Sequence, residues 1–210
     1  MLIGVTGLIG SGKDTIADYL VTFHGFKRVS FAGSLKDAVA PVFNWDRELL
    51  EGHTKTSREW REQIDPWWAQ RLGIPHLTPR WILQHWGTEV LRRNFHDDIW
   101  VASVENKLLQ TKDNVVITDC RFPNELDTIK KIGGITMRVS RGPEPVWYPT
   151  ALLANTSASP VERHTAKTLL DNAKIHASEY SSVGLNYDHH IDNNGTIDEL
   201  HARVKAIVNN

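Results

Sequence analysis

The chemistry that stands out first lies near the amino end. Gly7 opens a G-x-x-x-x-G-K stretch that Gly12 and Lys13 close, with Gly10 and Ser11 between them. Glycines let a backbone turn tightly enough for several N–H groups to converge on one anion. At a helix N-terminus such a loop cradles phosphate. Lys13 adds a mobile positive charge for the outer phosphates. The next position usually carries a hydroxyl that meets Mg²⁺; here it is Asp14, followed by Thr15. Mg²⁺ prefers oxygen ligands, so Asp14 can face the metal directly or through water, or orient an incoming group. Thr15 can touch an inner phosphate, and the sequence leaves these roles open.

A second set of groups lies downstream. Val115–Asp119 reads as a buried strand ending in a carboxylate, where Asp119 can hold Mg²⁺ or simply cap the next turn. Two residues on, Arg121 offers bidentate bonds to a phosphate or an ion pair with Asp119 or Glu125. Gln84, Thr88 and Arg92 recur at i, i+4, i+8, beside an apolar stripe of Leu83, Trp86 and Val90. They share one helix face, with an amide, a hydroxyl and a guanidinium suited to a base edge and a phosphate. Arg58, Arg61 and Glu62 form a charged face, solvated or substrate-facing. Arg138, Arg141 and Arg163 surround a proline-rich stretch. Arginines of that kind stabilise the charge spread in phosphoryl transfer, and Arg138, on a strand, reads as surface-exposed. His176-Ala177-Ser178-Glu179 can cap a helix or pair with an arginine, and the ten histidines show no zinc-ligand spacing.

These residues need a scaffold. Leu2, Ile3 and Val5 suit a strand buried on both faces, and a helix pattern follows from Asp14. Further strands are expected at 28–31, 115–119, 135–139 and, weakly, 188–192. Helices are expected from Ser34 as N-cap to Val42, from Thr78-Pro79 through Phe95, over 123–132, 161–172, and from Thr196 to Val208. Residues 44–100 read as helical throughout, and 141–159, with three prolines, as irregular. Strands alternating with helices imply an α/β fold: a five-stranded parallel sheet with helices on both faces. Two excursions then rise above the carboxyl ends of the strands, where ligands bind in such sheets. That is the layout of a small-molecule kinase. The boundaries read as one domain, with core 1–33, 101–140 and 176–210, an acceptor-binding helical insertion over about 34–100, and a lid over about 141–175.

Composition narrows the field. At 210 residues the chain suits one sizeable core. A net charge of −1 gives no basic field for nucleic acid. The lone Cys120 fits a reducing, cytoplasmic compartment. No apolar run reaches transmembrane length, and the amino end reads as a buried strand rather than a signal peptide. Five of the eight tryptophans (Trp60, Trp67, Trp68, Trp81, Trp86) fall in the helical stretch, as its small core or, for one of them, as a stacking surface for a base.

With these residues in place, the chain resembles the deoxynucleoside monophosphate kinases of bacteriophages and some bacteria. The likeness rests on Gly7–Thr15 with its Asp after the lysine, on Phe31-Ala32 with Leu35-Lys36, and on Leu83-Gln84, Gly87-Thr88-Glu89 and Arg92. It continues through Thr118–Glu125, His176–Glu179, and Asn194-Gly195-Thr196 with Glu199-Leu200. The resemblance implies ATP as donor, Mg²⁺, a deoxynucleoside 5′-monophosphate (dNMP) acceptor and a nucleoside diphosphate product, with Asn194, Gly195 and Thr196 near the donor adenine. The residues themselves are read as a P-loop kinase site in which Asp14 and Asp119 organise Mg²⁺ and Lys36, Arg58, Gln84, Thr88, Arg92, Arg121 and Glu125 face the acceptor. Arg141 or Arg163 would close in on the transferred group. If the source is a phage, the setting is the host cytoplasm; a homodimer stays open. Two rivals stand beside this: a P-loop kinase for another phosphorylated acceptor, of the phosphomevalonate or dephospho-coenzyme A type, and a nucleotide-dependent switch or ATPase.

Overall fold

A computed structural model describes residues 1–209. The chain divides into two compact units, Met1–Val29 with Thr111–Asn210, and Ser30–Gln110.

The first unit is the α/β body. Strand β1 (Leu2–Thr6) leads through the glycine loop into α1 (Lys13–His24), and β2 (Lys27–Val29) follows. The second unit then intervenes. It contains α2 (Gly33–Phe43), α3 (Arg47–Glu51), α4 (Lys55–Glu62), α5 (Pro66–Leu72), α6 (Pro79–Gln84) with a π-helical continuation His85–Arg92, and α7 (Ile99–Leu108). The body resumes with β3 (Val115–Ile117), α8 (Pro123–Lys131), β4 (Ile135–Ser140), α9 (Tyr148–Thr156), α10 (Pro160–Asn172), α11 (Ala177–Tyr180), β5 (His189–Asp192) and α12 (Ile197–Val208).

All five strands are parallel, in the order β2-β3-β1-β4-β5. The apolar residues of β1, β3 and β4 are buried, with Ile3, Val5, Val116, Met137 and Val139 at 1% exposure or less, as inner strands of a sheet covered on both faces require. Ile16, Ala17 and Leu20 of α1 pack with Leu200 and Val204 of α12 in one core with those strands. Helix α8 approaches β1 so closely that a Cβ on Gly4 would meet Ile129 Cδ1 at 2.3 Å. Helices α9 and α10 enclose a smaller core of Ala151, Ala154, Ala166, Leu170, Tyr180 and Val183.

Within the helical unit some of the tryptophans form an aromatic cluster, whereas Trp67 is 60% exposed and Trp81 stacks on His85. Phe43 and Trp45 stack at 4.5 Å, with Trp68, Trp86 and Trp60 at their edges. Indole N–H groups are satisfied: Trp45 donates to Asp65, Trp68 to the Phe43 carbonyl, and Trp100 to the Gly87 carbonyl.

Several local expectations need correction. Helix α2 begins at Gly33 with Ala32 as cap, so Ser34 lies inside it and meets Ser103 instead. Residues 141–159 are not irregular throughout, because α9 forms there with Pro149 in its first turn, where a missing N–H costs nothing. The expected helix through Phe95 is α-helical only to Gln84. The wider turn that follows buries Ile82, Gly87 and Arg92 at a spacing of five, with Thr88 beside them. Val90 of the expected apolar stripe is consequently 41% exposed.

Candidate active site

The glycine loop joins the central strand to α1. Gly12 is the N-cap of α1 at φ 106°, a left-handed conformation that favours glycine. Space demands glycine here as well: a Cβ on Gly12 would meet Asn193 Nδ2 at 2.3 Å, and one on Gly7 would meet the Val139 carbonyl oxygen at 2.3 Å. The Lys13 ammonium folds back over the loop, donating to the Gly7 and Leu8 carbonyls at 2.8 Å each. Burial, reinforced by the positive charge of Arg121 and partly offset by Asp14, lowers its pKa to about 8. A half-buried cation bonded to neutral carbonyls gains from negative charge, which an incoming anion would supply.

Beyond β3, Glu125 is 3% exposed. Its carboxylate accepts from the backbone N–H of Arg121 at 2.6 Å and of Phe122 at 3.0 Å. That turn aims Arg121, whose guanidinium donates to the Ser178 carbonyl at 3.2 Å. Asp119, half-buried at the end of β3, directly precedes the buried Cys120. Burial first, then the Glu125 and Asp119 charges, push that thiol well above its ordinary pKa. A cleft of about 300 Å³ connects these groups. Gly7, Leu8, Lys13, Thr118, Arg121 and Arg141 line one part, and Pro143, Pro145, Trp147, Ser178, Glu179 and Ser182 the rest. The lining thus combines three cationic side chains with one indole, several hydroxyls and one carboxylate.

No family model matches the chain. A protein of Acanthamoeba polyphaga mimivirus named for deoxynucleotide monophosphate kinase activity is 32% identical over 223 residues, spanning 100% of this chain and 97% of the relative. The chain belongs to the deoxynucleoside monophosphate kinase family. The deoxynucleoside-5′-monophosphate kinase of Escherichia phage T5 is 27% identical over 65% of this chain and 74% of its own length. Among solved structures, shikimate kinase from Aquifex aeolicus is similar at a TM-score of 0.46 and 14% identity, covering 100% of this chain and 96% of that one.

The kinase therefore brings Gly7, Lys13, Arg121 and Arg141 to one cleft, and other expected residues elsewhere. Asp14 is exposed at the first turn of α1, 3.5 Å from both Thr118 Oγ1 and the Arg28 guanidinium. Thr15 is half-buried in the same turn. Arg163 donates to the Ser157 and Ala158 carbonyls at 2.6 and 3.3 Å, away from the cleft lining. Gly195 packs beside Glu199, and Asn194 accepts from the Gly142 N–H at 2.7 Å. Arg138, expected at the surface, is half-buried, bonded to Glu144 at 2.6 Å and seated 5.3 Å from the Tyr148 ring centre. His176 caps α11 through its ring nitrogen.

In the kinase's helical unit, Lys36 is 8% exposed and ion-paired to Glu51 at 2.6 Å. Arg58 donates to the His53 carbonyl at 2.9 Å. Thr88 and Arg92 are buried, and Arg92 donates to the Asp97 carbonyl at 3.0 Å; Gln84 is half-buried.

A divalent cation fits the oxygen chemistry near the loop. Among the described residues no group of three or more His, Cys, Asp or Glu side chains is placed to hold a metal. Mg²⁺ needs no such cage: one or two carboxylates, waters and substrate phosphates suffice, and Asp14, in the turn after Lys13, is a carboxylate beside the loop although neither it nor Asp119 lines the cleft.

Two features escaped sequence reasoning. Trp147 lies on the cleft wall, although the tryptophans that drew attention lie in the helical unit. Asn193 rather than Asn194 touches the phosphate loop, donating from Nδ2 to the Ser11 carbonyl at 2.8 Å. A polar side chain directly after an edge strand was the only signal for it.

Proposed function

We propose that this kinase moves the γ-phosphoryl group of ATP onto the 5′-phosphate of a dNMP, giving ADP and a deoxynucleoside diphosphate. An acceptor phosphate oxygen forms the new bond to the γ-phosphorus as the bond from that phosphorus to the β,γ-bridging oxygen breaks. The acceptor is already anionic, so positioning and charge stabilisation carry the rate and no general base is required. In this reading the N–H groups of Gly10–Thr15, with Ser11 and Gly12 shaping the turn, hold the donor phosphates. Lys13 leaves its loop carbonyls for those phosphates. Arg121 neutralises the acceptor phosphate, and Arg141 meets the transferred group, with Arg163 bracing the chain around α10. Bound Mg²⁺ would offset the charge of the donor phosphates, with Asp14 and Asp119 as its protein ligands.

The observation that carries the reading is the single cleft shared by a phosphate loop, two arginines and an aromatic wall. Trp147 with Pro143 and Pro145 suits a base, and Ser178, Glu179 and Ser182 suit polar edges of a nucleoside. From the helical unit we include Lys36, Arg58, Gln84, Thr88 and Arg92 as acceptor residues, and from the body Glu125 through its hold on Arg121. Asn194 and Gly195 are assigned to the donor side. Residues 34–100 act as the acceptor insertion and 141–175 as the lid. The buried, unpaired Cys120 supports a cytoplasmic setting.

The test is ADP release from Mg-ATP with dAMP, dGMP, dCMP, dTMP and their ribonucleotide counterparts in turn. At least one dNMP should stimulate release, and Lys13→Ala should abolish it. Slow hydrolysis indifferent to every monophosphate would favour the switch ATPase, and stimulation by dephospho-coenzyme A alone would favour another acceptor class. Either result defeats the proposal.

A further inference from the structure

We infer that Asn193 and Asn194 are positioning residues of the transfer step: two consecutive amides at the end of β5 that fasten the phosphate loop and the Arg141 segment to one point. The inference rests on the roles given above to Lys13 and Arg141.

Three bonds make the fastening. Asn193 Nδ2 donates to the Ser11 carbonyl at 2.8 Å, inside the glycine loop. The Asn193 N–H donates to the Ser140 carbonyl at 2.8 Å, and Asn194 Oδ1 accepts from the Gly142 N–H at 2.7 Å. Ser140 and Gly142 flank Arg141, so its backbone is pinned on both sides by this pair. The partners fix the amide orientations, because a carbonyl requires Nδ2 and an N–H requires Oδ1. The anchor is itself held. Asn193 is 8% exposed, and Asp192 Oδ1 accepts from Asn194 N at 3.0 Å and Nδ2 at 2.5 Å. Close packing leaves no slack, since Gly12 has no room for even a methyl group against Asn193. A shift at Ser11 therefore reaches Arg141 through one residue, and the spacing between Lys13 and Arg141 is set there. Errors of an ångström in such spacing cost large factors in rate.

Asn194 is exposed, so Asn194→Ala should fold. The inference expects it to lower kcat about tenfold, and to speed hydrogen exchange at the Gly142 amide. Asn193→Asp keeps the shape but turns an oxygen toward the Ser11 carbonyl, and should raise KM for ATP. The deciding comparison is Arg141→Ala with Arg141→Ala/Asn194→Ala: equal rates are expected, because Asn194 acts through Arg141. A further tenfold loss in the double variant would overturn the inference alone, as would unchanged Gly142 exchange in Asn194→Ala. A fully active Arg141→Ala enzyme would overturn the role of Arg141 and this inference with it.

Discussion

Lys13 should couple nucleotide binding to proton uptake. In the free protein its pKa is lowered to about 8 from 10.5, by burial first and by Arg121 second. Donor phosphates would supply the missing opposite charge and return the group toward its ordinary range. Just below pH 7 the ammonium is already protonated and binding takes up nothing through it. At pH 8 uptake should be roughly half a proton per nucleotide, and at pH 9 roughly nine-tenths. Phosphate itself titrates near pH 6 and adds little in that window. Affinity should fall as pH rises above 8, by up to ~10-fold per pH unit. Calorimetric titration in buffers of different ionisation enthalpy measures the uptake directly. Lys13→Arg, charged throughout, should show none. The folded free protein carries the opposite dependence: the unfolded chain keeps this proton up to about 10.5, so its contribution to stability grows between pH 8 and 10.5. Uptake that is flat from pH 7 to 9, or equal in Lys13→Arg, would refute the reasoning.

Two further outcomes follow from named contacts. Gly12→Ala combines a left-handed φ with a 2.3 Å approach to Asn193 Nδ2, so denaturant unfolding should show a loss of roughly 1–3 kcal/mol. Burial alone would raise the Glu51 pKa, but Lys36 at 2.6 Å and Arg47 hold it at about 2. That carboxylate's contribution is complete above about 4.5 and is lost as pH falls toward 2. Glu51→Gln should cost roughly 3 kcal/mol at neutral pH and flatten the acid limb of stability between those values, measured by circular dichroism across pH.

The inner strands were legible because apolar residues cluster in them between glycine and helix-cap signals, as in Val115–Ile117, whereas β2 and β5 carry one apolar residue each. Thr78, Thr196 and Gly133 mark ends that the chain respects. Lys13 and Arg121 could be seen because strand ends deliver side chains to one rim. The seven-residue helix α5 carried too few turns for a separate period, although Asp65 caps it just before Pro66. The π-helical turn was invisible: its phase depends on Trp100 taking the Gly87 carbonyl from thirteen residues away. The same holds for Trp147 and Asn193, whose neighbours in space are distant in sequence.

The strand order has an evolutionary corollary. The loop bearing Lys13, the turn bearing Asp119 and Arg121, and the segment bearing Arg141 follow β1, β3 and β4, three adjacent inner strands. The helical unit departs instead after β2 and the asparagine pair follows β5, the two borders of the sheet. Of the two margins only the β2 flank is thereby open to be lengthened or reshaped: at the β5 flank Asn193 and Asn194 are tied to the loops that follow β1 and β4.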